Sequence, residues 1–260
     1  MRIALIADVH GNLPALDVAL RELRADGFDR LLCAGDLVGY GPFPNECVTR
    51  IAEEGAVCVA GNHDLMAIGR LDDAHAGALA RTTLEWTRGV LGADARGYLE
   101  SLPFTATLEA PSAELGRLVM AHGSLHDPMV YVEAARAADE LRRLAAVYPD
   151  ASMLVLGHTH RPLAHGGRRG KLVDGRAGDV QLEAGEALLV NPGSVGQPRE
   201  WRALVRFALL DLDARAVRYR ALDYDQEPVR SALLAAGLPA DACHRRPPLR
   251  RVVRRALSRR

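Results

Sequence analysis

The chain has 260 residues, 48% of them hydrophobic, 25% charged and 5% aromatic. This composition excludes a disordered chain, a collagen and a disulfide-framed mini-protein, and no apolar run approaches the roughly 18 residues of a membrane span. The net charge is zero. That balance hides a split: eight arginines and no acid lie between residues 245 and 260, leaving residues 1–244 with 25 basic against 33 acidic side chains.

The length suits one large domain with a sizeable buried core, read here as residues 1–244 followed by an Arg-rich tail at 245–260. Met1-Arg2 runs straight into an apolar strand with no h-region or cleavage site, so a cytoplasmic protein is the expectation. The four cysteines share no CxxC spacing. Cys33 and Cys58 sit inside apolar runs and are expected to be buried thiols.

Taken in chain order, residues 3–7 form an apolar strand that ends at Asp8. Leu13, Leu16, Ala19, Leu20 and Leu23 then repeat at helical spacing. Residues 31–34 form a second strand, residues 42–52 a short helix, and residues 57–60 a third strand. This alternation implies an α/β fold with a largely parallel sheet, whose ligands gather at the carboxyl ends of its strands. Residues 65–102 turn helical, with Leu79, Thr83, Trp86 and Val90 on one face, and can form a small helical cap over that edge. Strands are expected at 104–108, 117–121, 152–156, 187–190, 203–212 and 217–221, with a helix over 133–147. Residues 166–170 and 174–178 are turn-rich and suit hairpin loops.

Five segments place ligand-type side chains immediately after strands: Asp8-Val9-His10, Gly35-Asp36, Gly61-Asn62-His63-Asp64, His122-Gly123 and Gly157-His158-Thr159-His160. They contain five of the nine histidines. If each strand delivers its segment to one edge, the ligands converge although they span some 150 residues. Carboxylates and imidazoles suit divalent manganese, iron or zinc, and nickel or cobalt after them; thiolates would favour softer ions. A carboxylate has two acceptor oxygens and can bridge two ions.

These five segments, in this order, resemble the calcineurin-like metallophosphoesterase superfamily over roughly residues 1–200. Gly35-Asp36-Leu37-Val38-Gly39-Tyr40-Gly41-Pro42 and Asn191-Pro192-Gly193-Ser194-Val195-Gly196 are similar to its small bacterial and archaeal phosphodiesterase branch. The resemblance implies a four-layer α/β/β/α sandwich of two mixed sheets, with the strands at 203–221 completing the second sheet. It implies two divalent metal ions, manganese first. Asp8, His10 and His160 would hold one ion, Asp36 would bridge, and Asn62, His122 and His158 would complete the other site. His63 would stay free of metal and act on the leaving oxygen as general acid or donor. The reaction implied is hydrolysis of a phosphate ester, foremost a phosphodiester in a small nucleotide. Cyclic nucleotides and dinucleoside polyphosphates are natural candidates. A phosphomonoesterase, a nuclease and a non-catalytic scaffold are the alternatives.

One position departs from the protein-phosphatase branch, in which an aspartate three residues after the bridging aspartate orients the catalytic histidine. Here that position is Gly39, and the Asp-Arg-Gly continuation is absent. His63 then needs another partner, a backbone carbonyl or Asp64.

The remaining polar residues carry bland readings beside sharp ones. Asp8 and Asp36 can be N-caps of the helices that follow them. Asn12 can touch a phosphate oxygen or cap a helix, and Arg199 can neutralise substrate charge. His126 is expected in a surface loop, and His75, His165 and His244 on the surface. Asn191 and Ser194 are expected to shape the turn behind the ligands, and Trp86 to be core. The paired arginines of the tail can form a basic amphipathic helix from Leu249, suited to RNA or an acidic membrane, or can dock on the acidic body. No stripe on the sequence settles the oligomeric state.

Overall fold

The computed structural model describes residues 1–109, 116–175 and 178–247. Its strands form two six-stranded mixed sheets. In the first, β1 (Arg2–Ile6), β2 (Arg30–Cys33) and β3 (Val57–Cys58) are parallel. β11 (Leu204–Asp211), β12 (Ala216–Asp223) and β9 (Asp179–Gln181) continue that sheet antiparallel on the other side of β1. The second sheet runs β4 (Thr105–Leu108), β5 (Arg117–Ala121), β6 (Ala151–Val155), β10 (Leu188–Asn191), β7 (Leu163–Gly166) and β8 (Gly170–Asp174). Its central strands β5, β6 and β10 are parallel.

Side chains of a strand alternate between faces, and β1 shows what that does here. Ile3, Leu5 and Ala7 point into the space between the sheets, where they meet Leu118, Met120, Met153, Val155 and Val190. Ala4 and Ile6 point outward into a cluster with Leu16, Leu20 and Leu23 of α1 (Leu13–Asp26) and Cys47, Val48 and Ile51 of α2 (Pro44–Glu53). On the far side, α6 (Ala134–Val147) lays Ala137, Leu141 and Leu144 on the outer face of the second sheet. Helix, sheet, sheet and helix give the four layers expected.

Several expectations shift. The strands at 203–221 extend the first sheet and not the second: β11 pairs with β1, with Leu5 opposite Ala208. Both faces of β11 are largely apolar, Val205, Phe207 and Leu209 towards the helices and Ala208 and Leu210 towards the other sheet, with Arg206 buried on that second face in an ion pair with Glu200. Such a strand fits either inner position, so its sequence does not choose the sheet. The turn at 166–170 is a hairpin, with Gly166 opposite Gly170. The turn-rich stretch 174–178, of which residues 176 and 177 lie outside the described residues, stands between β8 in one sheet and β9 in the other and so joins no hairpin.

The stretch 65–102 holds the end of α3 (Asn62–Ala67), then α4 (Ala78–Val90) and α5 (Ala93–Ser101). The buried face of α4 is Ala80, Thr83, Leu84 and Thr87, and Val90 is 40% exposed. Its threonines are buried because their hydroxyls donate back to the Leu79 and Thr83 carbonyls at 2.9 and 2.8 Å. Leu84, Ala95 and Leu99 join the cluster beneath α1 and α2. Leu79 and Trp86 pack instead against a small cluster built on α7 (Glu227–Ala235), a helix the periodicity reading did not identify.

All four cysteines are free and buried. Among the described residues no helix is long and apolar enough to cross a membrane. The Arg-rich tail from residue 248 onward, with the helix expected from Leu249, lies outside the described residues.

Candidate metal centre

The parallel strands β1, β2, β3, β5 and β6 all end at one edge of the sandwich, and each is followed there by one of the five segments. The backbone is bent hard at these ends. Among the described residues, seven non-glycine residues have positive φ, and six of them are here: Asp8 (55°), His10 (51°), Asp36 (58°), Tyr40 (59°), His158 (63°) and His160 (58°). Left-handed backbone is unfavourable for residues with a Cβ, and such strain gathers where side chains must be aimed. The loops are pinned to one another by main-chain bonds, with Asp8 N donating to Gly35 O at 3.0 Å, His10 N to Asp36 O at 2.9 Å and Gly157 N to His122 O at 2.8 Å.

The seven expected ligands converge. Asp8, His10, Asp36 and His160 bring donor atoms within 4.8 Å of one another, as do Asp36, His122 and His158, so Asp36 is common to both groups. Asn62 joins the second through Oδ1, 3.0 Å from His122 Nε2. All are buried.

Each aspartate is half satisfied. Asp8 Oδ1 accepts from His158 N at 3.0 Å and Asp36 Oδ1 from His63 N at 2.8 Å. Their Oδ2 atoms are buried without a hydrogen-bond partner, an arrangement that is costly without a compensating charge. Asp36 does not cap the helix that follows it, α2, whose N-cap is Phe43; its Oδ1 instead accepts from the first turn of α3, and the other oxygen remains for the cluster. Asp8 caps none, since Asn12 caps α1.

Carbonyl contacts set the imidazole tautomers. His10 Nδ1 faces Val38 O at 3.1 Å, His122 Nδ1 faces Ala34 O at 2.6 Å, and His160 Nδ1 faces Gln197 O at 2.6 Å. A carbonyl only accepts, so these nitrogens carry protons and Nε2 is the inward-facing atom, its lone pair free wherever the ring is neutral. His158 is reversed: Nε2 faces Met129 O at 3.1 Å, leaving Nδ1 for the cluster. His10 Nε2 and His160 Nε2 consequently face each other as two lone pairs at 3.2 Å. Facing lone pairs beside two orphaned carboxylate oxygens fit divalent cations.

The electrostatics agree. Burial holds His10 and His160 well below the ordinary histidine range and His158 down to about 3, so all three are neutral donors at physiological pH. Burial opposes charge on His122 as well, but the attraction of the Asp36 carboxylate, with Oδ2 3.2 Å from Nε2, outweighs it and pushes His122 up to about 9. Burial pushes Asp8 up to about 7. The carboxylates thus draw positive charge into the cluster.

His63 lies beside the cluster, not in it. Its ring centroid is 4.8 Å from that of His10 and 4.6 Å from that of Tyr40, and burial lowers it to about 4. Asp64 does not orient it. The Asp64 carboxylate accepts four backbone N–H groups instead, from Asp36, Leu37, Val38 and Gly61 at 2.8–3.1 Å. It thereby ties the loop carrying Asp36 to the loop carrying Asn62 and His63. Sequence reasoning considered Asp64 only as a partner for His63. Its place three residues after Gly61, where a carboxylate can accept the N-cap N–H of a helix, was the available signal.

Asn12 is spent on structure. It is fully buried, caps α1 at Ala15 N, and donates Nδ2 to Gly196 O at 2.8 Å and Tyr224 Oη at 3.0 Å, which leaves nothing for a phosphate. Arg199 is placed at the cluster, with Nη2 3.1 Å from His160 Nε2 and Nη1 donating to Tyr131 Oη at 3.3 Å. Tyr131 had drawn no attention in the sequence. Its ring stacks on His158 at 4.0 Å while 46% of the residue stays exposed.

Other residues lie away from the cluster. His126 is an exposed loop residue bonded to Ser124 Oγ at 2.9 Å, and His75 is exposed. His165, expected on the surface, is buried on β7 at 8% exposure, because both faces of that strand are covered. His244 is half-buried against Glu200 O at 2.9 Å. Asn191 and Ser194 bond main chain behind the ligands: Asn191 Nδ2 donates to Gly157 O at 2.5 Å and Ser194 Oγ to Asp8 O at 2.9 Å.

Comparison with known proteins gives a consistent picture. An uncharacterized protein of Methanocaldococcus jannaschii is 27% identical over 239 residues, covering 91% of this chain and 93% of that protein. The phosphodiesterase YfcE of Escherichia coli is 26% identical over 204 residues, covering 75% and 86%. The crystal structure of a metallophosphoesterase from Sphaerobacter thermophilus superposes with a TM-score of 0.77 at 31% identity, covering 94% of this chain and 97% of that one. A model of the calcineurin-like phosphoesterase superfamily domain matches residues 1–215. With the buried Asp/His cluster at its strand ends, the chain belongs to the calcineurin-like phosphoesterase superfamily.

Proposed function

We propose that this phosphoesterase hydrolyses a phosphodiester in a small nucleotide with two divalent ions, manganese first, in the cytoplasm, where its four free thiols stay reduced. The observation that carries the reading is the pair of orphaned oxygens on Asp8 and Asp36, set among four imidazoles, three of them neutral, in two groups that share Asp36. In this reading Asp8, His10 and His160 would hold one ion, Asn62, His122 and His158 would hold the other, and Asp36 would serve both. Ions so held supply Lewis acidity and an activated water. The chain's own residues do the rest. Arg199 receives a non-bridging phosphoryl oxygen, a task that suits a guanidinium, while His63 donates a hydrogen bond to the leaving oxygen. One arginine at the cluster matches the single negative charge of a diester, and the relative YfcE is named a phosphodiesterase.

The test is turnover of bis(p-nitrophenyl) phosphate by metal-stripped protein with and without added Mn²⁺, beside the mono-nitrophenyl ester. Manganese-dependent turnover favouring the diester is expected. Preference for the monoester would reverse the substrate assignment, and no turnover with any divalent ion would remove the catalytic reading.

Gly39→Ala probes the missing dyad from the other side. Residue 39 has φ 84°, and a Cβ there would stand on His63 Nδ1. The substitution is expected to displace the imidazole and lower kcat by about 10–100-fold, with ion binding by calorimetry unchanged. Wild-type kcat in this variant would show that His63 takes no part.

A further inference from the structure

We propose that Tyr40 is the positioning residue for His63, its ring doing by packing what a carboxylate does elsewhere by hydrogen bonding. This rests on the role given to His63 in the preceding reading.

Among the described residues the His63 ring has no polar partner. Its Nδ1 is buried with no hydrogen bond, and Asp64 is occupied by backbone N–H groups. At Gly39, the position from which an aspartate would act, His63 already fills the space of a side chain. An imidazole with no hydrogen bond to its ring is held by shape, and the neighbours that shape it are the rings of Tyr40 and His10. Tyr40 lies against it at 4.6 Å with the planes 39° apart. His10 meets it edge-on at 4.8 Å, and Tyr40 and His10 themselves meet at 4.7 Å and 76°. Three rings thus close on one another. His10 is fixed in turn by Val38 O at 3.1 Å.

The backbone supports the same conclusion. Tyr40 is 4% exposed and has φ 59°, a conformation that glycine or asparagine adopts with little strain and a bulky aromatic adopts only at a cost. The loop is held there on its far side: Gly41 N donates to His10 O at 2.9 Å and Phe43 N to Gly11 O at 3.0 Å. A strained, buried aromatic at a site flanked by Gly39 and Gly41 points to a task for the ring. The task available is to aim His63.

The experiment uses the full chain as Tyr40→Asn, Tyr40→Phe, His63→Ala and the Tyr40→Asn/His63→Ala pair. Asparagine keeps the left-handed backbone and removes the ring, so folding is preserved and is checked by circular dichroism. Substrates are methyl aryl phosphates with p-nitrophenol and with phenol as leaving groups. Tyr40→Asn is expected to lower kcat for the phenyl ester by about 10–100-fold, and less for the nitrophenyl ester, which needs little help at the leaving oxygen. KM should hardly change, and Tyr40→Phe should restore kcat. In the His63→Ala background Tyr40→Asn should change kcat by less than about twofold, because both act through one group. An equal loss for both esters, a full loss in the His63→Ala background, or a Tyr40→Phe variant as impaired as Tyr40→Asn would each overturn the proposal.

A second readout does not depend on turnover. In metal-free protein the His63 ring resonances, assigned by difference from His63→Ala, should be sharp in the wild type and shifted and broadened in Tyr40→Asn. Unchanged resonances overturn the positioning role. If the wild type turns over no phosphate ester while the resonances respond, the catalytic reading fails and the packing role stands.

Discussion

Asp36→Asn is expected to lower turnover by more than about 100-fold and to remove ion binding from the shared position while leaving the fold intact. Residues one step removed from a metal typically change affinity or activity by about 10–100-fold, and Asp36 stands in both ligand groups. The variant keeps Oδ1, which accepts from His63 N at 2.8 Å, so α3 remains anchored. What changes is Oδ2, which lies 3.2 Å from His122 Nε2 and 3.5 Å from His10 Nε2. An amide puts N–H there, or rotates and gives up the bond to His63. Either way the one buried charge common to both groups is gone.

Thermal unfolding reports the same change without activity. A ligand at 100 times its Kd adds about 2.7 kcal/mol, which for a chain of this size is roughly 5–10 °C in Tm per site. Manganese should therefore raise the Tm of the wild type and raise that of the variant much less. An Asp36→Asn protein that binds two ions with unchanged heat and keeps its turnover would remove Asp36 from the bridging position.

The largest expected effect on stability belongs to Asp64, which touches neither substrate nor ion in this reading. Asp64→Ala leaves four N–H groups, on Asp36, Leu37, Val38 and Gly61, without their acceptor. A buried unsatisfied donor costs about 1–3 kcal/mol, and neighbouring losses do not add fully. A total on the order of 4–6 kcal/mol is expected, a large share of the roughly 5–15 kcal/mol available to a folded domain. Asp64→Asn keeps one acceptor and turns an amide N–H towards donors, so it should fall between the alanine variant and the wild type. Urea unfolding in the presence of chelator separates this effect from lost metal binding. A loss below about 1 kcal/mol would show that the two loops hold their geometry without it.

The ligand set was legible because it is local chemistry repeated at a fixed place. A short apolar run followed at once, or after one glycine, by Asp, His or Asn occurs five times, and a strand that ends in such a residue delivers it to the sheet edge whatever lies between. The same rule explains the misses. Tyr131 is in a loop after no strand, and it meets His158 and Arg199 only because the loop folds over them. Asn12 and Arg199 looked alike as polar residues following a ligand or loop motif. One turns inward to Gly196 and Tyr224 and the other reaches His160, a difference of side-chain direction that spacing does not record.

By itself the sequence determined the strand and helix order of the first 60 residues, the residues that converge and the family they resemble. Those follow from hydrophobic period and residue chemistry, which act over a few positions along the chain. Only the tertiary structure decided that β11 and β12 complete the first sheet, since a strand largely apolar on both faces satisfies the same burial in either. It alone decided that Asp64 is a clamp between loops and that His63, with glycine at 39, is held by rings. Those roles depend on which atoms lie within 3 to 5 Å after segments far apart in sequence have packed.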